Sequence, residues 1–172
     1  MTEKILITGP ESTGKSTLTR ALAEYFNAPF VIEYARIYLD KLDRKYNQDD
    51  LLEIAKGQIR LEEEALALEQ DFVIVDTALN VIDIWSREKF GSTHPWILEE
   101  MQKRAYDLYL IPDIDLEWTF DPQRENPHDR DRLMRLYQQS FEQRNIPYHM
   151  VRGQGEKRTQ NAIDIIKRKL LV

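Results

Sequence analysis

Short apolar runs alternate along the chain with longer stretches in which apolar residues recur every three or four positions. That alternation predicts strands buried on both faces, interleaved with helices that cover them. Lys4-Ile5-Leu6-Ile7-Thr8 is the first strand, an almost unbroken apolar and β-branched run, and a glycine-containing turn follows it. Helical spacing then begins over 17–26, where Leu18, Ala21, Leu22 and Tyr25 share a side. Pro29-Phe30-Val31-Ile32 reads as the second strand, and 33–42 as a helix with Tyr34, Ile37, Tyr38 and Leu42 along one side. Asn47 opens a polar break, Asp49 or Asp50 offers a cap, and Leu51, Ala55, Ile59 and Leu66 mark one face of a helix over 51–68. Gly57 interrupts that helix at a cost of about 1 kcal/mol relative to Ala, and reads as a tolerated glycine rather than a point of close approach.

Asp71-Phe72-Val73-Ile74-Val75-Asp76 is the clearest internal strand. A mixed segment over 77–91 leads to a helix starting near Pro95, a good first-turn residue. Asp107-Leu108-Tyr109-Leu110-Ile111 is a fourth strand, stopped by Pro112, and 113–129 is irregular and charged, with Pro122 and Pro127. Helical spacing returns over 130–144 through Leu133, Leu136, Tyr137 and Phe141. Pro147 to Val151 is a fifth strand, Gly153 and Gly155 form a loop, and 159–170 closes as a helix. The pattern predicts one α/β domain over 1–172, a three-layer sandwich around a five-stranded parallel sheet.

Composition narrows the functions open to such a domain. Its 172 residues include 24 Lys plus Arg and 30 Asp plus Glu, a net charge of −6 that argues against broad binding to nucleic acid or anionic membranes. Cysteine is absent, which excludes disulfides, thiolate catalysis and Cys-zinc sites. His94, His128 and His149 are scattered without metal-ligand spacing. No apolar run approaches the roughly 20 residues of a membrane-spanning helix. The first residues run straight into a strand with no sign of a signal peptide, so the expected setting is cytoplasmic.

Gly9-Pro10-Glu11-Ser12-Thr13-Gly14-Lys15-Ser16 fits G-x-x-x-x-G-K-[ST], between a strand and a helix as that motif requires. A random chain of this length matches about once in 200 at ordinary residue usage. The glycines let backbone N–H groups turn toward phosphate oxygens, and the following helix points its N-terminal amides at the same anion. Gly9, Glu11, Ser12, Thr13, Gly14, Lys15, Ser16 and Thr17 are therefore the expected ATP-binding residues. Lys15 supplies a point charge for the outer phosphates, and Ser16 a hydroxyl ligand for Mg²⁺. Asp76 ends the third strand, and ligands of open parallel sheets sit beyond the carboxyl ends of strands. It is the second expected Mg²⁺ ligand, directly or through water, the plainer alternative being a capping Asp.

The class of phosphate-loop protein follows by elimination. The guanine-reading N-K-x-D is missing, since Asn80-Val81-Ile82-Asp83 lacks the Lys, and D-x-x-G is missing, since Asp76-Thr77-Ala78-Leu79 ends in Leu. Asp76 is followed by Thr77 rather than by a second acid, unlike many remodelling ATPases. A small kinase remains. Its expected lid is 118–132, polar, proline-punctuated and arginine-dense, with Arg124 and Arg130 as the residues over the transferring phosphoryl group. Glu33-Tyr34-Ala35-Arg36 leaves the second strand, where Glu33 can orient or deprotonate an acceptor hydroxyl and Arg36 can pair with it. The plainer reading of that pair is a helix-start Glu with its i+3 partner. Tyr34, Tyr38, Trp85, Phe90, Trp96 and Trp118 are candidate platforms for a flat base, and Gly153-Gln154-Gly155 a candidate adenine loop.

Together these residues resemble a family. The phosphate loop, Glu33-Tyr34-Ala35-Arg36, Asp76-Thr77, Phe90-Gly91 with His94-Pro95, Ile146-Pro147-Tyr148, and the stretch from Asp121 to Pro127 are similar to the nicotinamide riboside kinase domain of bifunctional bacterial NAD-biosynthesis proteins and the small stand-alone ATPases grouped with it. The resemblance implies ATP-dependent phosphorylation of the ribose 5′-hydroxyl of nicotinamide riboside. It implies Lys15 and Ser16 at ATP and Mg²⁺, Glu33, Tyr34, Arg36 and Asp76 on the acceptor and metal side, and Arg124 in the lid. Two positions depart from the family: Ile32 stands where the bifunctional proteins have a Trp, and Ala78 where they tend to have an acid. Neither is there an H-x-G-H motif, so the adenylyltransferase half is missing.

Overall fold

The computed structural model describes residues 1–124 and 128–171. Five parallel strands form one sheet in the order β2-β3-β1-β4-β5. They are β1 (Glu3–Ile7), β2 (Phe30–Val31), β3 (Phe72–Asp76), β4 (Leu108–Pro112) and β5 (His149–Val151). Seven helices cover the sheet: α1 (Lys15–Phe26), α2 (Tyr34–Asp40), α3 (Gln48–Leu66), α4 (Leu79–Phe90), α5 (Pro95–Lys103), α6 (Arg130–Gln143) and α7 (Gly155–Leu170). The predicted α/β three-layer architecture is the observed one.

Alternation along the strands builds the two layers of core. Ile5, Ile7, Ile74 and Leu110 pack against Leu18 and Leu22 of α1 and Ile163 and Ile166 of α7. Leu6, Val73, Val75 and Ile111 point the other way, toward Ala65 of α3 and Met134 and Phe141 of α6. A third cluster joins α3, α4 and α5 through Leu51, Ile54, Leu79, Ile82 and Ile97, with the α2 residues Tyr34, Tyr38 and Leu39 packed against it.

The differences from the predicted elements have physical reasons. α3 starts at Gln48 because Asn47, not an aspartate, is its cap: the Asn47 side chain accepts from the Asp50 N–H while the Asp50 carboxylate accepts from the Asn47 N–H. The mixed segment 77–91 holds the helix α4, whose periodicity is hidden because polar Asn80, Asp83 and Ser86 are buried along with its apolar residues. Gly57 does mark a close approach, for a Cβ there would stand 2.0 Å from Cε1 of Tyr34. β4 runs through Pro112 rather than stopping before it, which costs no bond to β1, since β1 pairs only with 108–110. Among the described residues no helix is long and apolar enough to cross a membrane.

Sheet order fixes where chemistry can occur. β1 is central, and its neighbours β3 and β4 point their carboxyl ends the same way. The register Ile7↔Asp76 puts that carboxylate one strand spacing from the point where the chain leaves β1, and Thr77 N–H donates to the Ile7 carbonyl at 2.9 Å.

Candidate active site

The turn after β1 needs unusual backbone. Gly9 and Gly14 adopt φ of 139° and 75°, and Ser12 adopts 57°, values that L side chains rarely tolerate. Space is also short: a Cβ on Gly14 would stand 3.0 Å from Cδ1 of Leu116. Gly14 caps α1, so the first amides of that helix open onto the turn. Thr13 Oγ1 donates to the Pro10 carbonyl at 2.9 Å, and Lys15 Nζ donates to the same oxygen at 2.7 Å. Arg158, 4% exposed on α7, clasps the loop from behind. It donates to the carbonyls of Thr13, Asp113 and Gly153 and pairs with Asp115.

Ser16 and Asp76 meet as expected, Ser16 Oγ donating to Asp76 Oδ2 at 2.6 Å. A buried carboxylate and a hydroxyl beside a phosphate-type loop are hard oxygen donors, and Mg²⁺ takes one or two such protein ligands and completes its shell with water and phosphate. The donor set therefore fits Mg²⁺.

A cavity of about 210 Å³ extends from this loop, and Gly9 and Glu11 to Thr17 all line it. Glu33 and Arg36 line it where α2 begins, and Arg124 borders it from the segment after β4. Beyond them the wall turns apolar, with Leu39, Leu51, Ile54 and Ile82 and the aromatic rings of Tyr46 and Trp85. Burial pushes the Glu33 carboxyl up from its usual value, against the pull of Lys15, and lowers the Lys15 ammonium against the pull of Glu33 and Asp76. Arg124 donates to the Thr119 carbonyl, while its Nε is buried without a partner among the described residues, a donor suited to an anion. Arg130 does not line the cavity and instead donates to the Ser12 carbonyl at 3.0 Å, bracing the loop. A smaller cavity of about 130 Å³ opens on the far side of Ser16, Glu33 and Asp76, and Ile32 borders that one.

The expected site residues thus converge, with two exceptions, Arg130 behind the loop and Tyr34. Tyr34 borders neither cavity; its ring packs at Gly57 and lies 5.8 Å from the Arg60 guanidinium, and its N–H donates to Gln58. Of the six candidate platforms only Trp85 lines the main cavity. Tyr46 and the buried Tyr137 line it too, and neither stands out locally, Tyr46 being one aromatic in a polar stretch and Tyr137 one of an ordinary helical face. Arg158 was equally invisible, one basic residue beside Lys157 with nothing local to single it out. Gly153 and Gly155 take positive φ, and Gly153 N–H donates to Asp115. The expected lid lies partly outside the described residues, at Glu125, Asn126 and Pro127; from Trp118 to Arg124 it is strapped across the loop and α2.

Fold and site together define a P-loop domain of the nucleoside-kinase type of architecture. Residues 4–158 match the family described as the AAA domain, and the chain belongs to that family. It is 24% identical to the trifunctional NAD biosynthesis/regulator protein NadR of Salmonella typhimurium, over 95% of this chain and 42% of that protein. The chain thus spans less than half the length of this curated relative. A solved NadR protein in complex with NR superposes with a TM-score of 0.84 at 21% identity, covering 99% of this chain and 51% of the other. Thymidylate kinase from Candida albicans superposes with a TM-score of 0.71 at 17% identity, covering 97% and 92%.

Proposed function

We propose that this chain is an ATP- and Mg²⁺-dependent nucleoside kinase, with nicotinamide riboside as the acceptor and its ribose 5′-hydroxyl as the nucleophile. The observation that carries the reading is the single cavity joining the phosphate loop, past Glu33, to a recess walled by Trp85 and Tyr46. A phosphorylated tail and a flat, ribose-bearing acceptor need those two ends at once. The likeness to NadR supports nicotinamide riboside as the acceptor.

In this reading the loop amides and Lys15 hold the triphosphate tail. Ser16 and Asp76 would hold Mg²⁺, which would supply neutralising charge to the phosphates. The acceptor oxygen attacks the terminal phosphorus, the bond to the bridging oxygen of ADP breaks, and the hydroxyl proton passes to Glu33. Lys15 and Arg124 bear the charge on the transferred group. Glu33 also positions the acceptor, which matters more than its basicity in a loose transition state. ATP supply places such an enzyme in the cytoplasm.

Ile32 and Ala78, the two departures from the resemblance, favour a second reading, a kinase for another nucleoside or small metabolite. A nucleotide-binding regulator with slow hydrolysis is the third. The test incubates the protein with ATP, Mg²⁺ and a panel of nucleosides and follows ADP release. Release with nicotinamide riboside alone supports the first reading, release with a different acceptor supports the second, and release no faster than with water supports the third.

A further inference from the structure

The segment after β4 touches two parts of the site that lie on different elements. On the phosphate side, Thr119 N–H donates to Ser12 Oγ at 2.8 Å and Trp118 Nε1 lies 3.4 Å from Glu11 Oε1. On the acceptor side, Asp121 Oδ2 accepts from Arg36 Nη1 at 2.9 Å, and Gln123 donates to Asp40 and to the Arg36 carbonyl. The second oxygen of Asp121 accepts from the Gln123 N–H at 2.9 Å, which fixes the carboxylate on its own turn. Arg36 Nε in turn lies 3.5 Å from Glu33 Oε2. A line of charges therefore runs from Glu33 through Arg36 to Asp121, three residues before Arg124.

We propose that Asp121 is a positioning residue that ties the strap bearing Arg124 to the helix start bearing Glu33, so that the phosphate-side arginine and the acceptor-side carboxylate are set by one linkage. Without Asp121, Arg36 has only Glu33 as an ion-pair partner among the described residues and is free to fold onto it, taking away the carboxylate that faces the acceptor. With Asp121, the guanidinium is shared and held off at the edge of the cavity. The Arg36 guanidinium also keeps the Asp121 carboxyl below its usual value, as expected of a pair that stays charged. Arg suits the role because its planar fork holds two carboxylates in one fixed geometry, whereas a Lys ammonium is a point charge on a flexible stem. The mode of action is indirect, since Asp121 borders neither cavity. The inference rests on the kinase reading for its consequences in turnover, but the linkage itself is a property of the folded chain.

The experiment compares wild type with Asp121→Asn, Asp121→Glu, Arg36→Lys and the double variant Asp121→Asn/Arg36→Lys. Steady-state rates are measured with ATP, Mg²⁺ and nicotinamide riboside, and amide exchange of 34–40 and 118–124 is followed without ligand. Asp121→Asn is expected to lower kcat/KM for the acceptor about tenfold, the size of one lost charge-assisted hydrogen bond, with the KM for ATP within about threefold. Asp121→Glu is expected to recover most of that loss. The double variant is expected to be no worse than Arg36→Lys, because the two residues act as one unit. An unchanged kcat/KM for the acceptor in Asp121→Asn, or losses that multiply in the double variant, overturns the proposal. If wild type does not turn over nicotinamide riboside, the acceptor reading fails and exchange decides the linkage. Faster exchange in both segments of Asp121→Asn, restored in Asp121→Glu, supports it, and faster exchange in 118–124 alone overturns it.

Discussion

The two ends of the main cavity are built differently. The phosphate end is one short run, from Gly9 to Thr17, whose backbone does most of the binding in the proposed reading and whose residue types follow from that task. The end proposed for the acceptor is assembled from α2, the turn before α3, α3, α4 and α6, each contributing one to three residues such as Leu39, Tyr46, Ile54, Trp85 and Tyr137. Backbone recognition needs glycines at set positions and so leaves a linear signature. Side-chain recognition of a flat, partly apolar molecule uses the same residue types as a core and leaves none. One end therefore defines a class of chemistry, and the other chooses the substrate.

If that division is right, changes at the phosphate end should abolish turnover with any acceptor. Lys15→Met is expected to lower kcat by about 10³-fold, the size seen when a preorganised charge is removed from developing transition-state charge. Single-turnover rates with ATP and Mg²⁺ measure it, and a loss confined to one acceptor would break the division. Glu33 stands at the junction. Glu33→Gln is expected to lower kcat by about 10²-fold with affinity for a non-hydrolysable ATP analogue nearly unchanged. Burial raises the Glu33 carboxyl, and its protonated form cannot accept the proton, so the rate should fall on the acid side at a pH above the ordinary carboxylate range. That acid limb should vanish in Glu33→Gln, and its persistence would assign it to another group.

The difference between the two ends also explains what was legible beforehand. Strands β1, β3 and β4 read directly from their apolar runs, because burial on both faces leaves Ile5 to Ile7, Phe72 to Val75 and Leu108 to Ile111 without a charged residue. The pairing of Ser16 with Asp76 followed from the rule that strand ends meet at the site, which depends on sheet topology and not on side-chain detail. α4 was not legible for the opposite reason to the strands: polar Asn80, Asp83 and Ser86 are buried among its apolar residues, so polarity does not mark its exposed face. Tyr34 was drawn to the acceptor by its place beside Glu33, yet consecutive helical residues point about 100° apart, and its ring faces α3 instead. Asp121 and Arg158 act across 85 and 145 residues of sequence, distances over which no local pattern carries information.

A smaller effect should mark the acceptor end. Trp85→Ala is expected to raise the acceptor KM about tenfold, the typical worth of one stacked ring, with analogue affinity for the phosphate end unchanged. Calorimetry with each ligand separately checks it. Equal losses for both ligands would mean that the recess and the loop are not separable and that Trp85 serves the fold.

The finest test lies in the wall behind the recess, where helix propensity and packing disagree in sign. An exposed mid-helix Gly→Ala should stabilise by about 1 kcal/mol, because Ala restricts the unfolded chain and suits the helix. At Gly57 the added Cβ would collide with Cε1, Cδ1 and Cζ of Tyr34, at 2.0 to 2.5 Å. The ring cannot bend away freely, because the Tyr34 N–H is bonded to the buried Gln58 side chain on the same helix. Overpacking of that kind costs about 1–3 kcal/mol and should outweigh the propensity gain. Gly57→Ala is therefore expected to lower the melting temperature by a few degrees, about what 1 kcal/mol produces in a domain of this size. The displaced Tyr34 also begins α2, which carries Arg36 and follows Glu33, so the acceptor KM should rise while affinity for the ATP analogue holds. A higher melting temperature would show that Tyr34 moves without cost and that the start of α2 is looser than its contacts with α3 imply.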